Sequence, residues 1–113
     1  MADDCLFCRI VRKEIPAKVV FENEHVLAFR DIDPKAPTHV LIIPKQHVPS
    51  LNEATDAAAL GHLSLAAAEI AKAEGIAESG YRTVMNTNRE AGQTVFHVHL
   101  HVLGGRTMKW PPG

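Results

Sequence analysis

The chain has 113 residues, 46% hydrophobic and 22% charged, which predicts one folded domain over residues 1–113 and excludes a disordered chain. Its 12 basic and 13 acidic side chains give a formal net charge of -1, so neither nucleic acid nor anionic lipid is expected as a partner. Apolar runs such as Val40–Ile43 are far shorter than the roughly 20 residues that span a bilayer, which excludes a membrane-spanning helix.

The first half of the chain predicts one helix and three strands. Apolar residues at helical spacing predict a short helix over Leu6–Lys13. Two runs rich in strand-forming residues, Lys18–Glu22 and Val26–Arg30, predict an antiparallel hairpin. A turn-rich loop over residues 31–37 then leads into a buried third strand, His39–Ile43.

The second half predicts one long helix and two further strands. Alanine and leucine at helical spacing predict a helix over Asn52–Glu74, capped by Asn52 and stopped by Gly75. The fourth and fifth strands are predicted over Tyr81–Met85 and His97–Leu103, and the proline-rich tail from residue 110 is expected to be extended. This order predicts an α+β fold with a mostly antiparallel five-stranded sheet and the long helix on one face.

Imidazole alternates with aliphatic side chains in His97-Val98-His99-Leu100-His101-Val102-Leu103. On a strand, the three histidines would share one face, and the residues between them would face the core. A solvated face would not need histidine, and the outer two histidines would lie about 13 Å apart, too far to share one metal ion easily. These two interpretations stay open, but nucleophilic or acid–base chemistry by neutral imidazole is favoured.

This alternation resembles the signature of the histidine triad superfamily. Segments throughout the chain resemble its nucleotide-binding branch, called HINT: residues 12–18, Ala36-Pro37-Thr38-His39, Ile43-Pro44-Lys45, Gly92-Gln93-Thr94, Leu103-Gly104-Gly105-Arg106 and Trp110-Pro111-Pro112-Gly113. The resemblance implies a homodimeric purine nucleoside phosphoramidase that hydrolyses the P–N bond of adenosine 5'-phosphoramidates to give AMP. A dinucleoside polyphosphate hydrolase and a non-catalytic nucleotide-binding adaptor are the alternatives.

The resemblance also implies catalytic roles for individual residues. His99 would be the nucleophile that forms a nucleotidyl-histidine intermediate, with His97 and His101 on either side of it. His39 would lie behind these histidines. Thr94 stands where the branch usually has a serine near the leaving group, and this substitution keeps the hydroxyl group but adds a methyl group.

A second set of residues is implied to bind the nucleotide. Its members are Phe7, Phe29, Ile32 and Leu41 in the purine pocket, Asp31 on the ribose hydroxyls, and Asn86, Gly92, Thr94, His99 and His101 around the phosphate and leaving group. Without the resemblance, the apolar members would more simply be core residues and Asp31 a turn residue.

Two cysteines stand three residues apart in Cys5-Leu6-Phe7-Cys8. This pair is compatible with a zinc site, a redox dithiol or two free thiols. Triad proteins that carry such a pair imply His47 and His97 as the other two ligands of a structural zinc ion, and no organic cofactor is expected. Two cysteines are too few for a secreted disulfide framework, and the acidic amino terminus lacks a secretory signal, so we expect a cytoplasmic protein.

Dimerisation is also expected from the size of the chain. A domain of this length buries only about two-thirds of its unfolded surface, so a partner subunit would add useful burial. The long helix carries small residues suited to close packing: Ala57, Ala58, Ala66, Ala67 and Ala68. The resemblance implies a two-fold dimer that pairs the long helices, extends the sheet and brings Trp110 near the site of the partner subunit.

Overall fold

A five-stranded antiparallel sheet organises the computed structural model of the protein, which describes residues 4–113. Residues 1–3, part of the acidic amino terminus considered above, lie outside the described residues. The strands are β1 (Val19–Glu22), β2 (Val26–Arg30), β3 (Thr38–Pro44), β4 (Tyr81–Val84) and β5 (Leu100–Gly104). Their spatial order is β1-β2-β3-β5-β4, and every neighbouring pair is antiparallel, so the predicted α+β class is confirmed.

Helices cover the two faces of this sheet. Helix α1 spans Leu6–Val11, α2 spans Ala57–Ala73 and α3 spans Asn88–Ala91, and a 3-10 turn spans Leu51–Glu53. None of the helices within residues 4–113 has the length and hydropathy that crossing a bilayer requires.

The central strand β3 is buried along its whole length because both faces of the sheet are covered. Its alternate side chains enter two different hydrophobic clusters. Val40 and Ile42 pack in the cluster that contains the buried side of α2. Leu41 and Ile43 pack in the cluster that contains residues of α1. The α1 side of the sheet is also the side on which the histidines of interest lie, as described below.

The predicted start of the long helix is wrong by five residues. Asn52 lies in the 3-10 turn, where the buried Ser50 hydroxyl accepts a hydrogen bond from its N–H at 3.1 Å. The chain is then extended at Ala54, and α2 begins only after Asp56, whose carboxylate caps it by accepting from the Ala58 N–H at 3.0 Å. Ser50 therefore caps the 3-10 turn, and Asp56 caps α2. The predicted stop is confirmed, since Gly75 has a left-handed φ of 76°.

The predicted fifth strand also begins later than expected. Residues 97–99 precede β5 because the Val98 N–H donates to the Val48 carbonyl at 2.7 Å, which joins this segment to the loop after β3. The alternation of faces nevertheless holds, since Val98, Leu100 and Val102 all pack beneath α2. The short helix α3 was not predicted because four residues are too few for a helical period to show.

The small residues of α2 do not all lie on its outer surface. Ala66 and Ala67 are buried against the sheet of their own chain, so they are not available to a partner subunit. Ala57, Ala58 and Ala68 are exposed. The tail from Trp110 to Gly113 has no helix or strand, as expected, and the Trp110 ring is 81% exposed.

Candidate active site

The candidate site lies on the α1 side of the sheet, where cross-strand pairing aligns apolar residues with a histidine. His101 of β5 is paired with Leu41 of β3 on one side and Val84 of β4 on the other. Leu41 is paired in turn with Phe29 of β2. Because paired residues share a face, this row forms a mainly apolar floor with one imidazole between Leu41 and Val84.

The imidazole of His99 is held in one tautomer. Its Nδ1 lies 2.8 Å from the backbone carbonyl of His97, and a carbonyl oxygen can only accept, so Nδ1 carries the proton. In the neutral ring, Nε2 then holds the lone pair. Phe7 packs edge-on against this ring with 5.1 Å between centroids, and the His101 ring lies 5.1 Å away on another side. His99 is therefore a buried imidazole with an oriented nucleophilic nitrogen.

A chain of hydrogen bonds fixes the tautomer of His101. The backbone N–H of Lys35 donates to His39 Nδ1 at 3.0 Å, so the proton of neutral His39 is on Nε2. His39 Nε2 lies 2.9 Å from His101 Nδ1 and donates to it. His101 Nδ1 is thus an acceptor, and the His101 proton is on Nε2. The neutral His99 ring therefore has its lone pair on Nε2, and the adjacent His101 ring has its proton on Nε2.

Burial keeps these histidines uncharged near neutral pH. It lowers the pKa of His101 from 6.5 to about 4, with smaller contributions from the neighbouring imidazoles of His99 and His39. Burial also lowers the pKa of His39, opposed by the carboxylate of Asp31, which lies 3.4 Å from His39 Nε2. The ligand atoms of Asp31, His39 and His101 are close enough for a metal ion, but both histidines already use nitrogens to bond each other.

His97 belongs to a different cluster from the other two triad histidines. Its Nε2 donates to the Pro44 carbonyl at 2.8 Å, which leaves the lone pair on Nδ1. That nitrogen faces a group formed by Cys5, Cys8 and His47, whose ligand atoms lie within 4.8 Å of one another. Burial lowers the pKa of His97 to about 4, so the ring is neutral, as metal ligation requires.

The spacing of these four side chains fits a tetrahedral metal site. Zinc bonds of usual length imply edges of about 3.3 Å between two nitrogens and about 3.6 Å between nitrogen and sulfur. His47 Nδ1 lies 3.2 Å from both His97 Nδ1 and Cys8 Sγ. His97 Nδ1 lies 3.4 Å from Cys5 Sγ and 3.5 Å from Cys8 Sγ, and the two thiols are not joined in a disulfide. The cluster could therefore hold a metal ion without rearrangement.

Several residues predicted to bind a purine come together beside the histidines. Phe7 and Phe29 pack edge-on with 5.5 Å between centroids, and Leu41 lies in the same hydrophobic cluster. Ile32 is fully exposed on the neighbouring loop, so it does not belong to the core. Asp31 is half-buried, and its Oδ1 accepts from the Asp33 N–H at 2.8 Å.

The residues predicted around the phosphate lie on the adjoining segments. Asn86 lies two residues after Val84, whose pair with His101 is the last of the β4–β5 register. Gly92 ends α3 in a left-handed conformation, and its N–H donates to the Arg89 carbonyl at 3.0 Å. Thr94 is exposed and lines a cavity of about 450 Å³ that Cys5 and His47 also line.

Three backbone groups of the site were missed from the sequence. The Lys35 N–H sets the tautomer of His39, the Pro44 carbonyl sets that of His97, and the His97 carbonyl sets that of His99. Backbone groups carry no residue-type signal, so only the folded arrangement shows them.

Comparison with known proteins finds relatives along almost the whole chain. A family model described as HIT domain matches residues 12–108. The purine nucleoside phosphoramidase of Escherichia coli K12 is 52% identical, covering 96% of this chain and 92% of that protein. An uncharacterised HIT-like protein of Synechococcus elongatus is 54% identical over the full length of both. The crystal structure of a HIT family hydrolase from Legionella pneumophila has a TM-score of 0.95 at 54% identity, covering 97% of this chain and 100% of that one.

The lowered pKa of His101 predicts a pH-dependent stability. Between pH 6.5 and about 4, the unfolded chain binds a proton that the folded protein does not, so the free energy of unfolding falls as the pH falls. This histidine should contribute a slope of about 1 kcal/mol per pH unit, which His101→Gln removes. Urea unfolding at pH 7, 6 and 5 measures both slopes. Parallel pH curves for the two proteins would contradict this account.

Proposed function

Because the chain belongs to the HIT family, we propose that it is a purine nucleoside phosphoramidase, which hydrolyses the P–N bond of adenosine 5'-phosphoramidates. The observation that carries this proposal is the hydrogen bond from His99 Nδ1–H to the His97 carbonyl, which in the neutral imidazole leaves the lone pair on Nε2 as an oriented nucleophile. A phosphoramidate is an anionic electrophile, and a nucleophile without negative charge approaches it without Coulomb repulsion.

In the first step, His99 Nε2 attacks the α-phosphorus, a P–N bond to His99 forms, and the P–N bond to the leaving amine breaks. The amine departs with a proton from solvent, with the exposed Thr94 hydroxyl beside it. The imidazole gains positive charge as it attacks, and the His97 carbonyl dipole at Nδ1 stabilises that charge. His101 Nε2–H is proposed to donate to a non-bridging phosphate oxygen, with Asn86 and Gly92 as further partners.

In the second step, water attacks the nucleotidyl-histidine. The phosphorus–His99 bond breaks, AMP leaves, and the proton of the attacking water is lost to solvent, which restores neutral His99. Because His39 and His101 remain uncharged near neutral pH, the phosphate meets N–H dipoles at this position.

The nucleoside would be bound by the apolar floor. Phe7, Phe29 and Leu41 give a base-sized surface beside His99, and the exposed side chain of Ile32 is available to cover the other side of the purine. The Asp31 carboxylate lies 3.4 Å from His39 Nε2, and it is proposed to accept hydrogen bonds from the ribose hydroxyls.

Replacement of the nucleophile should abolish turnover. We expect His99→Ala to keep the fold and to lose activity on adenosine 5'-phosphoramidate by more than a hundredfold, because acid–base roles alone contribute about 10²–10⁴. His25→Ala, at an exposed histidine that stacks on His62, is the matched control and should retain activity.

The measurement also distinguishes other functions on the same fold. Release of AMP from AMP-lysine and from diadenosine polyphosphates is followed beside the simple amide. A His99→Ala protein that keeps more than about a hundredth of parent activity would exclude His99 as nucleophile. A parent protein that binds AMP and leaves every phosphoramidate intact would be an adaptor.

We further propose that Cys5, Cys8, His47 and His97 hold a structural zinc ion. Such an ion would join α1 to the segment before β5 and leave no coordination position open for substrate. The support is the fit of the four ligand atoms to a tetrahedron and the neutral His97 ring. Thiolate ligands need reduced cysteines, which agrees with a cytoplasmic location.

Removal of the metal should affect stability more than catalysis. We expect chelation, or Cys5→Ser with Cys8→Ser, to lower the melting temperature while the protein that stays folded keeps most of its activity, since His99 is oriented by a backbone carbonyl. Elemental analysis of protein purified without chelator should find about one zinc per chain. Less than about a tenth of an equivalent would count against the site.

We also propose a two-fold homodimer. The outer side of α2 presents Leu65, 68% exposed, beside the exposed Ala58 and Ala68, and β4 is an edge strand of the sheet. Pairing of these surfaces would bury exposed apolar area and complete the edge. The exposed Trp110 is then proposed to approach the site of the partner subunit.

Sedimentation tests the dimer. The parent protein should sediment at about twice its chain mass of 12.4 kDa at micromolar concentration, and Leu65→Glu should shift it towards the monomer because a charge would enter an apolar interface. Val19→Glu is the control, since Val19 is 44% exposed on the opposite edge strand. A parent protein that stays at the mass of one chain would contradict the proposal.

A further inference from the structure

The turn after β5 packs against the loop that precedes β3 and donates hydrogen bonds to it. Arg106 donates from Nε at 3.2 Å and from Nη2 at 3.0 Å to the carbonyl of Lys35. Gly105, with a left-handed φ of 91°, lies so close to the same loop that an added Cβ would be 2.9 Å from Pro37 Cβ. Two neighbouring residues therefore hold the loop at two points.

The loop itself has few backbone donors with which to fix its position. Pro34 and Pro37 have no N–H, and the Asp33 N–H and the Lys35 ammonium group both bond within the loop. Its attachments to β3 include the Asp31 N–H on the His39 carbonyl and the Lys35 N–H on the His39 ring. The guanidinium of Arg106 adds a bidentate anchor on the other side of Lys35.

The residue that Arg106 holds is the one that sets the tautomers of two histidines. The Lys35 N–H makes His39 Nδ1 an acceptor at 3.0 Å, and His39 Nε2 then donates to His101 at 2.9 Å. A loop that moves away from His39 releases Nδ1, so His39 can carry its proton there. His101 would then place its own proton on Nδ1 and turn a lone pair, instead of a donor, towards the site.

We propose that Arg106 is a positioning residue for the reaction, which keeps the His101 proton on Nε2 by anchoring Lys35 against His39. This inference rests on the proposed function for its catalytic consequence. Its structural consequence, the tautomer of His101, stands independently of the reaction. Arg106 acts on His101 through Lys35 and His39, and it contacts neither His99 nor His101.

The experiment compares three variants in the full-length protein. Arg106→Met removes the donors and keeps most of the side-chain length, and Arg106→Lys keeps one charged donor without the bidentate geometry. Arg12→Met is the matched control, since exposed Arg12 also donates from Nε and Nη2, at 2.8 Å and 3.3 Å to the carboxylate of Glu14, in the segment between α1 and β1. Long-range ¹H–¹⁵N NMR spectra report which ring nitrogen of each histidine carries the proton.

In the parent protein and in Arg12→Met, both His39 and His101 should be in the Nε2–H form. In Arg106→Met, the Nδ1–H form of His101 should become populated, and kcat on adenosine 5'-phosphoramidate should fall about tenfold or more with a smaller change in KM. Arg106→Lys should lie between the two, because one donor can still reach the Lys35 carbonyl.

Unchanged tautomers in a folded Arg106→Met protein would overturn the proposal, whatever its activity. A shifted tautomer with an unchanged kcat would overturn the catalytic part alone. Failure of the proposed function has a separate signature, since it shows as a parent protein that leaves every phosphoramidate intact, and failure of His99 as nucleophile shows as turnover that survives His99→Ala. Thermal melting of each variant confirms folding, and Arg106 is an exposed side chain whose replacement leaves the core intact.

Discussion

The hydrogen bond from His99 Nδ1–H to the carbonyl of His97 is the interaction on which the chemistry of the site depends. The position of that carbonyl is set by the neighbouring backbone, since the Val98 N–H is bonded to the Val48 carbonyl. It is set again by the His97 ring, which lies between the Pro44 carbonyl and the cysteine cluster. His97 thus contacts the cysteine cluster through its ring and orients His99 through its backbone carbonyl.

The two-sided sheet explains why the histidines have different surroundings. Residues between them pack beneath α2, so the triad segment is anchored in the larger hydrophobic cluster. On the opposite side, α1 covers only part of the sheet, and Phe7 of α1 meets the rings of both His97 and His99. Burial therefore favours the neutral form of His101, while part of that side chain stays exposed.

Much of the fold could be predicted from the sequence because its signals are local. The alternation from His97 to Leu103 gives the correct faces, and the apolar runs give the correct strands. The errors occur where hydrogen bonds of the folded chain override a local pattern. Ser50 caps a 3-10 turn at the predicted start of the long helix, and the Val48 carbonyl accepts from Val98 at the predicted start of β5. The triad histidines and the cysteine pair stand out from the sequence alone, and the other candidate residues could be named only through the resemblance. The tautomers depend on backbone groups whose positions no residue type encodes.

The acceptor that orients His99 is a peptide carbonyl, and this has a consequence for how the protein can vary. No side-chain replacement at position 97 deletes that oxygen, so genetic variation can exchange the ring of His97 and still leave the acceptor in place. The cluster of Cys5, Cys8, His47 and His97 can accordingly change by side-chain substitution, whereas the acceptor that orients His99 changes only with the path of the backbone. In a mutational scan, substitutions at position 97 would act through the side chain and the folding of the protein. None of them would remove the backbone oxygen that orients His99. Only a change to the main chain itself, such as an ester in place of an amide, weakens that acceptor directly.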